Sequence, residues 1–105
     1  MYNETIYLAT EVPTEEVDEY GDPVMELQKV ELFAKQRSIG QKEFYQAQTD
    51  GDKPEIKFVI PDYLDYDGQQ IVLHEGTRYK VLRTFRNDEN ELEITCYGGV
   101  RDVSA

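Results

Sequence analysis

Apolar and polar residues alternate along most of this chain, and the alternation breaks at recognisable turn residues. Ile6 and Leu8 alternate with Thr5 and Tyr7, which predicts a short first strand. The stretch from Glu11 to Pro23 is acidic and interrupted by Pro13, Gly21 and Pro23, so an exposed loop is expected at about residues 11–23. From Val24 the pattern becomes regular, with Val30, Leu32 and Ala34 on one face and Glu31 and Lys35 on the other. Ile56, Phe58 and Ile60 alternate with Lys57 and Val59 until Pro61 stops the run. Asp67-Gly68 and Glu75-Gly76 are expected as tight turns flanking a strand from Ile71 to His74. Thr77 to Arg86 makes the next strand, with Tyr79, Val81 and Phe85 opposite Lys80, Leu82 and Thr84. Asn87-Asp88-Glu89-Asn90 is a turn, and Leu92, Ile94 and Cys96 carry the final inward face. Strands recurring about every ten residues with short links predict a mainly β chain, either a small antiparallel β-barrel or a tightly packed sandwich, with the barrel the expected form. Leu32, Phe58, Val81 and Ile94 sit at the centres of their runs and should be buried together.

One segment asks for a different period. Gln41 to Gln48 is dense in helix formers and free of Gly and Pro, and Ser38 with Gln41 can form a capping box. A short helical insertion is therefore expected at about residues 40–50. Gly40 on one side, and Asp50-Gly51-Asp52 with Pro54 on the other, are hinge-like. Such a helix is barely two turns and too short to be stable alone. Phe44 and Ala47, three apart, would pin it to the sheet, leaving Tyr45, Gln46 and Gln48 facing away.

Composition narrows the function classes. At 105 residues the chain is expected to be one domain, residues 1–105. No apolar run approaches the ~20 residues of a membrane span, and Met1-Tyr2-Asn3-Glu4-Thr5 has neither the basic nor the apolar region of a signal peptide. The single cysteine, Cys96, can form no intramolecular disulfide and reads as a small core residue, as in a cytosolic protein. Cys96 and His74 alone cannot build a cysteine–histidine zinc site.

The net charge is −11, and it is unevenly spread. The first 28 residues hold no Lys or Arg but eight carboxylates; the rest carries 11 basic and 14 acidic residues, a balance of −3. A chain of this charge repels phosphate, which argues against a free-standing nucleic-acid reader. The acidic run is either a solvated loop or a docking arm, with Glu15, Glu16, Asp18 and Glu19 meeting a basic surface on a partner.

Catalytic constellations do not emerge. Asp62, Asp65 and Asp67 before Gly68 miss the calcium-loop spacing and read as turn formers. His74, at a strand end with no nucleophile in view, reads as a solvent-facing strand histidine. There is no Gly-rich phosphate loop, no Gly-x-Ser-x-Gly and no His pair at helical spacing. An enzyme is not expected, nor catalytic, cofactor-binding or metal residues. Eight tyrosines and four phenylalanines without tryptophan suit a chain that uses Tyr at contact surfaces, among them Tyr63 and Tyr66.

Gln41-Lys42-Glu43-Phe44-Tyr45-Gln46-Ala47 after a long strand, Asp62 to Gly68, Gly76-Thr77-Arg78-Tyr79-Lys80-Val81 and Glu91 to Cys96 follow one another in an order that resembles the head-closure (head–tail joining, or stopper) proteins of tailed bacteriophages. The resemblance covers roughly Val30 to Cys96. It implies a small barrel that forms a ring beneath the portal and adaptor proteins, closes the DNA channel and presents a platform to the tail-completion protein. Packaged DNA would pass without specific binding, no membrane would be involved, and the protein would move from host cytoplasm to the virion head–tail interface. The resemblance also implies a channel-gating or subunit-contact loop between strands. Here the match is the segment Gly40 to Pro54, with Gly40, Gln41, Glu43, Phe44, Tyr45, Gln46, Gln48, Asp50 and Gly51 as its candidate residues. The acidic stretch Glu11 to Glu26 has no counterpart in the motif. The competing class is a small barrel that recruits a protein partner by strand addition, unrelated to virions.

Overall fold

The computed structural model describes residues 2–39 and 53–101. Six strands follow in order: β1 (Glu4–Val17), β2 (Pro23–Arg37), β3 (Pro54–Ile60), β4 (Ile71–His74), β5 (Thr77–Arg86) and β6 (Leu92–Arg101). All neighbours are antiparallel, in the order β1-β2-β3-β6-β5-β4, and β4 pairs back onto β1 so that the sheet closes in a ring. The expected helix at 40–50 lies outside the described residues. Among those described, the helical turn is a single 3-10 turn at Tyr63–Asp65.

The alternation works as a core code for most strands. Ile6 and Leu8 of β1, Ala34 of β2, Ile56, Phe58 and Ile60 of β3, Val72 of β4, and Leu92, Ile94 and Cys96 of β6 form one buried cluster, against which Leu32 and Val81 pack. The expected quartet Leu32, Phe58, Val81 and Ile94 therefore does meet, with Phe58 and Ile94 fully enclosed. Burial pushes the Cys96 thiol up to about 12, so it stays protonated and serves as core. Val59, placed outward by the same alternation, is buried too, between Lys35 of β2 and Glu93 of β6 in register.

β3 and β4 lie on opposite sides of the ring, so residues 61–70 must cross one end of it. That crossing carries Tyr63 and Tyr66 onto the core. Asp62 caps its 3-10 turn by accepting from the Leu64 N–H at 2.9 Å, and the Tyr66 hydroxyl donates to the Gln69 carbonyl at 2.7 Å. The aspartates here build the turn, as their spacing suggests. Glu75 and Gly76 join β4 to β5 with φ of 48° and 77°, both in the left-handed region that a two-residue hairpin turn uses.

Phe85 departs from its expected face. The β5–β6 register shifts between Val81 and Arg83, which inserts one extra residue on β5. Val81 faces inward opposite Cys96, but past the bulge it is Thr84 that faces Ile94, and Phe85 pairs with Glu93 on the outside. Phe85 is accordingly 63 % exposed.

A buried carboxylate ties three elements together. Glu91, just before β6, accepts from the Tyr2 hydroxyl, from Asn87 Nδ2 at 2.9 Å and from Lys35 Nζ at 3.0 Å. The hydrogen bonds from Tyr2, Asn87 and Lys35 hold its carboxyl down at about 2, below its ordinary value of 4.5. A depressed pKa contributes stability that is complete above about pH 4.5 and is lost as pH falls towards 2. The expected result is that Glu91→Gln unfolds at lower urea concentration than the unaltered chain at pH 6. The gap should narrow progressively between pH 4.5 and 2. A gap that does not change with pH would show that the ionised carboxylate adds nothing.

Candidate functional site

The expected acidic loop is instead a strand ribbon. β1 runs on to Val17 and β2 starts at Pro23, and they pair from Glu4↔Ala34 out to Val17↔Pro23. Among the described residues, closure of the sheet uses only Tyr7 to Ala9 of β1 and Lys35 to Arg37 of β2. Beyond these, from about Thr10 to Glu26, the two strands pair with each other alone among the described strands and project from the body. Eight strand residues, Thr10 to Val17, reach roughly 25 Å. The chain's radius of gyration, 15.0 Å, exceeds the roughly 13 Å of a compact chain this long, in keeping with the projection.

Proline and acidic residues suggested a loop because they are rare in central strands, but a ribbon with open edges tolerates both. Pro23 opens its strand, and Pro13 sits beside a bulge between Pro13 and Val17, where a missing N–H breaks no further ladder. Thr14 stabilises the bulge by donating from Oγ1 to the Val24 carbonyl at 2.8 Å and accepting from the Glu16 N–H at 3.2 Å.

The tip is organised by Asp18. Its Oδ1 accepts from the Tyr20 and Asp22 N–H groups at 2.9 and 3.0 Å, while its backbone closes the turn with Gly21 and Asp22. Gly21 sits at φ 85°, the left-handed conformation that closes the turn. Of the four candidate docking residues, Asp18 therefore shapes the tip, and Glu15, Glu16 and Glu19 project from it exposed. Glu15, Glu16 and Glu26 share a shallow concavity with Pro13, Thr14 and Val24. Sequence reading missed the apolar residues set among these carboxylates: Val17 and Met25 are 65 % and 48 % exposed, and Tyr20 at the tip is 82 % exposed. Tyr20 therefore buries little in its own chain. The signal that could have found them is the Val-Asp-Glu-Tyr-Gly-Asp-Pro run itself, an Asp/Gly turn flanked by residues suited to strands.

The base of the arm is fixed to the body. Leu27 and Tyr7 pack on an outer cluster of Ala9, Ile71 and Leu73, and Glu11 meets Arg78 of β5 at 2.6 Å. The other candidate residues, Gly40, Gln41, Glu43, Phe44, Tyr45, Gln46, Gln48, Asp50 and Gly51, lie outside the described residues. By chain order they belong to the connection between β2 and β3, away from the arm tip in sequence.

His74 is not the solvent-facing residue expected. It is 7 % exposed, its ring lies 4.8 Å from that of Phe58, and its Nε2 is 2.8 Å from Glu4 Oε1. Its position ending β4 points it to the same side as Val72, into the mouth of the ring.

Neither a family model nor a curated protein matches the chain. Among the described residues no helix is long and apolar enough to cross a membrane.

Proposed function

We propose that the chain is a structural head-completion protein of a tailed bacteriophage. In this reading it is a small β-barrel that assembles as a ring on the portal and adaptor proteins, closes the DNA channel and joins head to tail. The observation that carries the reading is the acidic two-stranded arm projecting from a small closed sheet. Its concentrated negative charge suits docking on a basic protein ring, and an exposed tyrosine at its tip is the residue type that anchors protein interfaces. The order of motifs from Val30 to Cys96 supports the same assignment. A channel lined by such a protein would repel DNA and let it pass, and a charge of −11 per copy disfavours rings of free subunits. Assembly then waits for the portal–adaptor template, and the segment 40–54 is the candidate gate. The protein acts without catalysis or cofactor, first in the host cytoplasm and then at the head–tail interface.

The open edges along the arm favour a second reading, a barrel module that recruits an extended peptide by strand addition. Electron microscopy of particles made without this protein separates the two. DNA-filled heads that leak and carry no tails are expected; normal infectious virions would overturn the first reading.

A further inference from the structure

We infer that Glu4, His74 and Glu75 form a binding site for a divalent transition-metal ion of the zinc class, at the seam where the sheet closes. Glu4 opens β1, His74 ends β4, and Glu75 stands in the turn to β5. One ligand atom from each lies within 4.8 Å of the others. Ligands bound at about 2.0–2.2 Å from one ion stand roughly 3–4 Å apart. Glu4 Oε1 and His74 Nε2 stand 2.8 Å apart, and the carboxylate of the exposed Glu75 lies within 4.8 Å of both.

The imidazole is held for the task. Its burial against Phe58 fixes the ring plane and aims Nε2 at Glu4. With an ion present, Nε2 offers its lone pair and the ring proton resides on Nδ1, so the Glu4–His74 hydrogen bond is replaced by two bonds to the same ion. One nitrogen and two carboxylates suit zinc and its first-row neighbours, with remaining positions left to water. Calcium and magnesium, which take six or more oxygen ligands, are poorly matched by this set.

The position gives the site a structural consequence. β1 and β4 pair through three residue pairs, Tyr7↔Leu73, Leu8↔Val72 and Ala9↔Ile71, the short seam that closes the ring. An ion bridging Glu4 to His74 and Glu75 would lock that seam at its end.

The test uses the 105-residue, tag-free chain titrated with zinc chloride by calorimetry, alongside proton NMR of the histidine ring. The chain has one histidine, so its ring signals are unambiguous. One ion per chain is expected, with the His74 ring signals shifting to saturation at one equivalent. Glu4→Gln and Glu75→Gln should each weaken binding about tenfold or more, by analogy with the loss on removing groups that support a metal site. The double variant Glu15→Gln/Glu16→Gln should bind as the unaltered chain does. Glu75 is exposed, so its variant keeps the fold while testing the site. Absence of zinc binding, unmoved histidine signals, or Glu4 and Glu75 variants that bind zinc as tightly as the unaltered chain would overturn the assignment.

Discussion

Phe58→Ala is expected to lower the unfolding free energy by about 3–5 kcal/mol. Phe58 is fully enclosed, faces Ile94 across β3–β6, and holds the rings of His74 and Tyr79 at 4.8 and 6.3 Å. Strands locked in a closed sheet cannot collapse far into the space it leaves, so both the lost burial and the unfilled cavity count against the variant. Small domains have roughly 5–15 kcal/mol in total, so the loss removes a large share of the stability. Phe85→Ala is the internal comparison, and being exposed beyond the β5 bulge it should change stability by no more than about 0.5 kcal/mol. Urea unfolding of both variants measures the contrast. Comparable losses at the two positions would mean that the bulge, and with it the inward register of β5, is wrongly assigned.

Replacing residues 12–26 by a two-residue Asn-Gly turn is expected to leave the body folded and, if the proposed docking on a portal–adaptor ring holds, to weaken that attachment about 100-fold or more. The cut keeps Glu11↔Leu27 as the last pair of the shortened hairpin, so the Glu11–Arg78 ion pair and the packing of Leu27 on the outer cluster survive. Asn-Gly supplies the positive φ values that such a turn needs. The deletion removes six carboxylates (Glu15, Glu16, Asp18, Glu19, Asp22 and Glu26) and no cation, moving the net charge from −11 to −5. If charge steers docking, the affinity of the full chain should also fall as salt rises, and that dependence should flatten in the shortened variant. Binding unaffected by the deletion would reduce the arm to a solubilising extension.

Much of the core was legible from period-two alternation, because one-sided burial forces it. β4 and β5 run over Ile71–His74 and Thr77–Arg86, as their flanking Gly and Asn turns indicate, and Leu92, Ile94 and Cys96 are all buried. The arm was misread because a ribbon without a core on either face loses the alternation that marks a strand. Its acidic residues and prolines then look like a loop. The β5 bulge left no mark either, since Val81 and Leu82 are both apolar and either could continue the inward row. His74 was hidden for a different reason: its partner Glu4 is 70 positions away, and only closure of β4 onto β1 brings the two together. The same distance concealed the grouping with Glu75.

The most direct test of the account is add-back of the purified chain to DNA-filled heads that carry portal and adaptor but lack this protein, followed by nuclease digestion and measurement of the surviving DNA. The full chain should bind the heads and protect their genomes, whereas the variant shortened at residues 12–26 should do neither. Heads that remain nuclease-sensitive with the full chain bound, or equal protection by the shortened variant, would contradict the claim that the acidic arm docks this protein to close the channel.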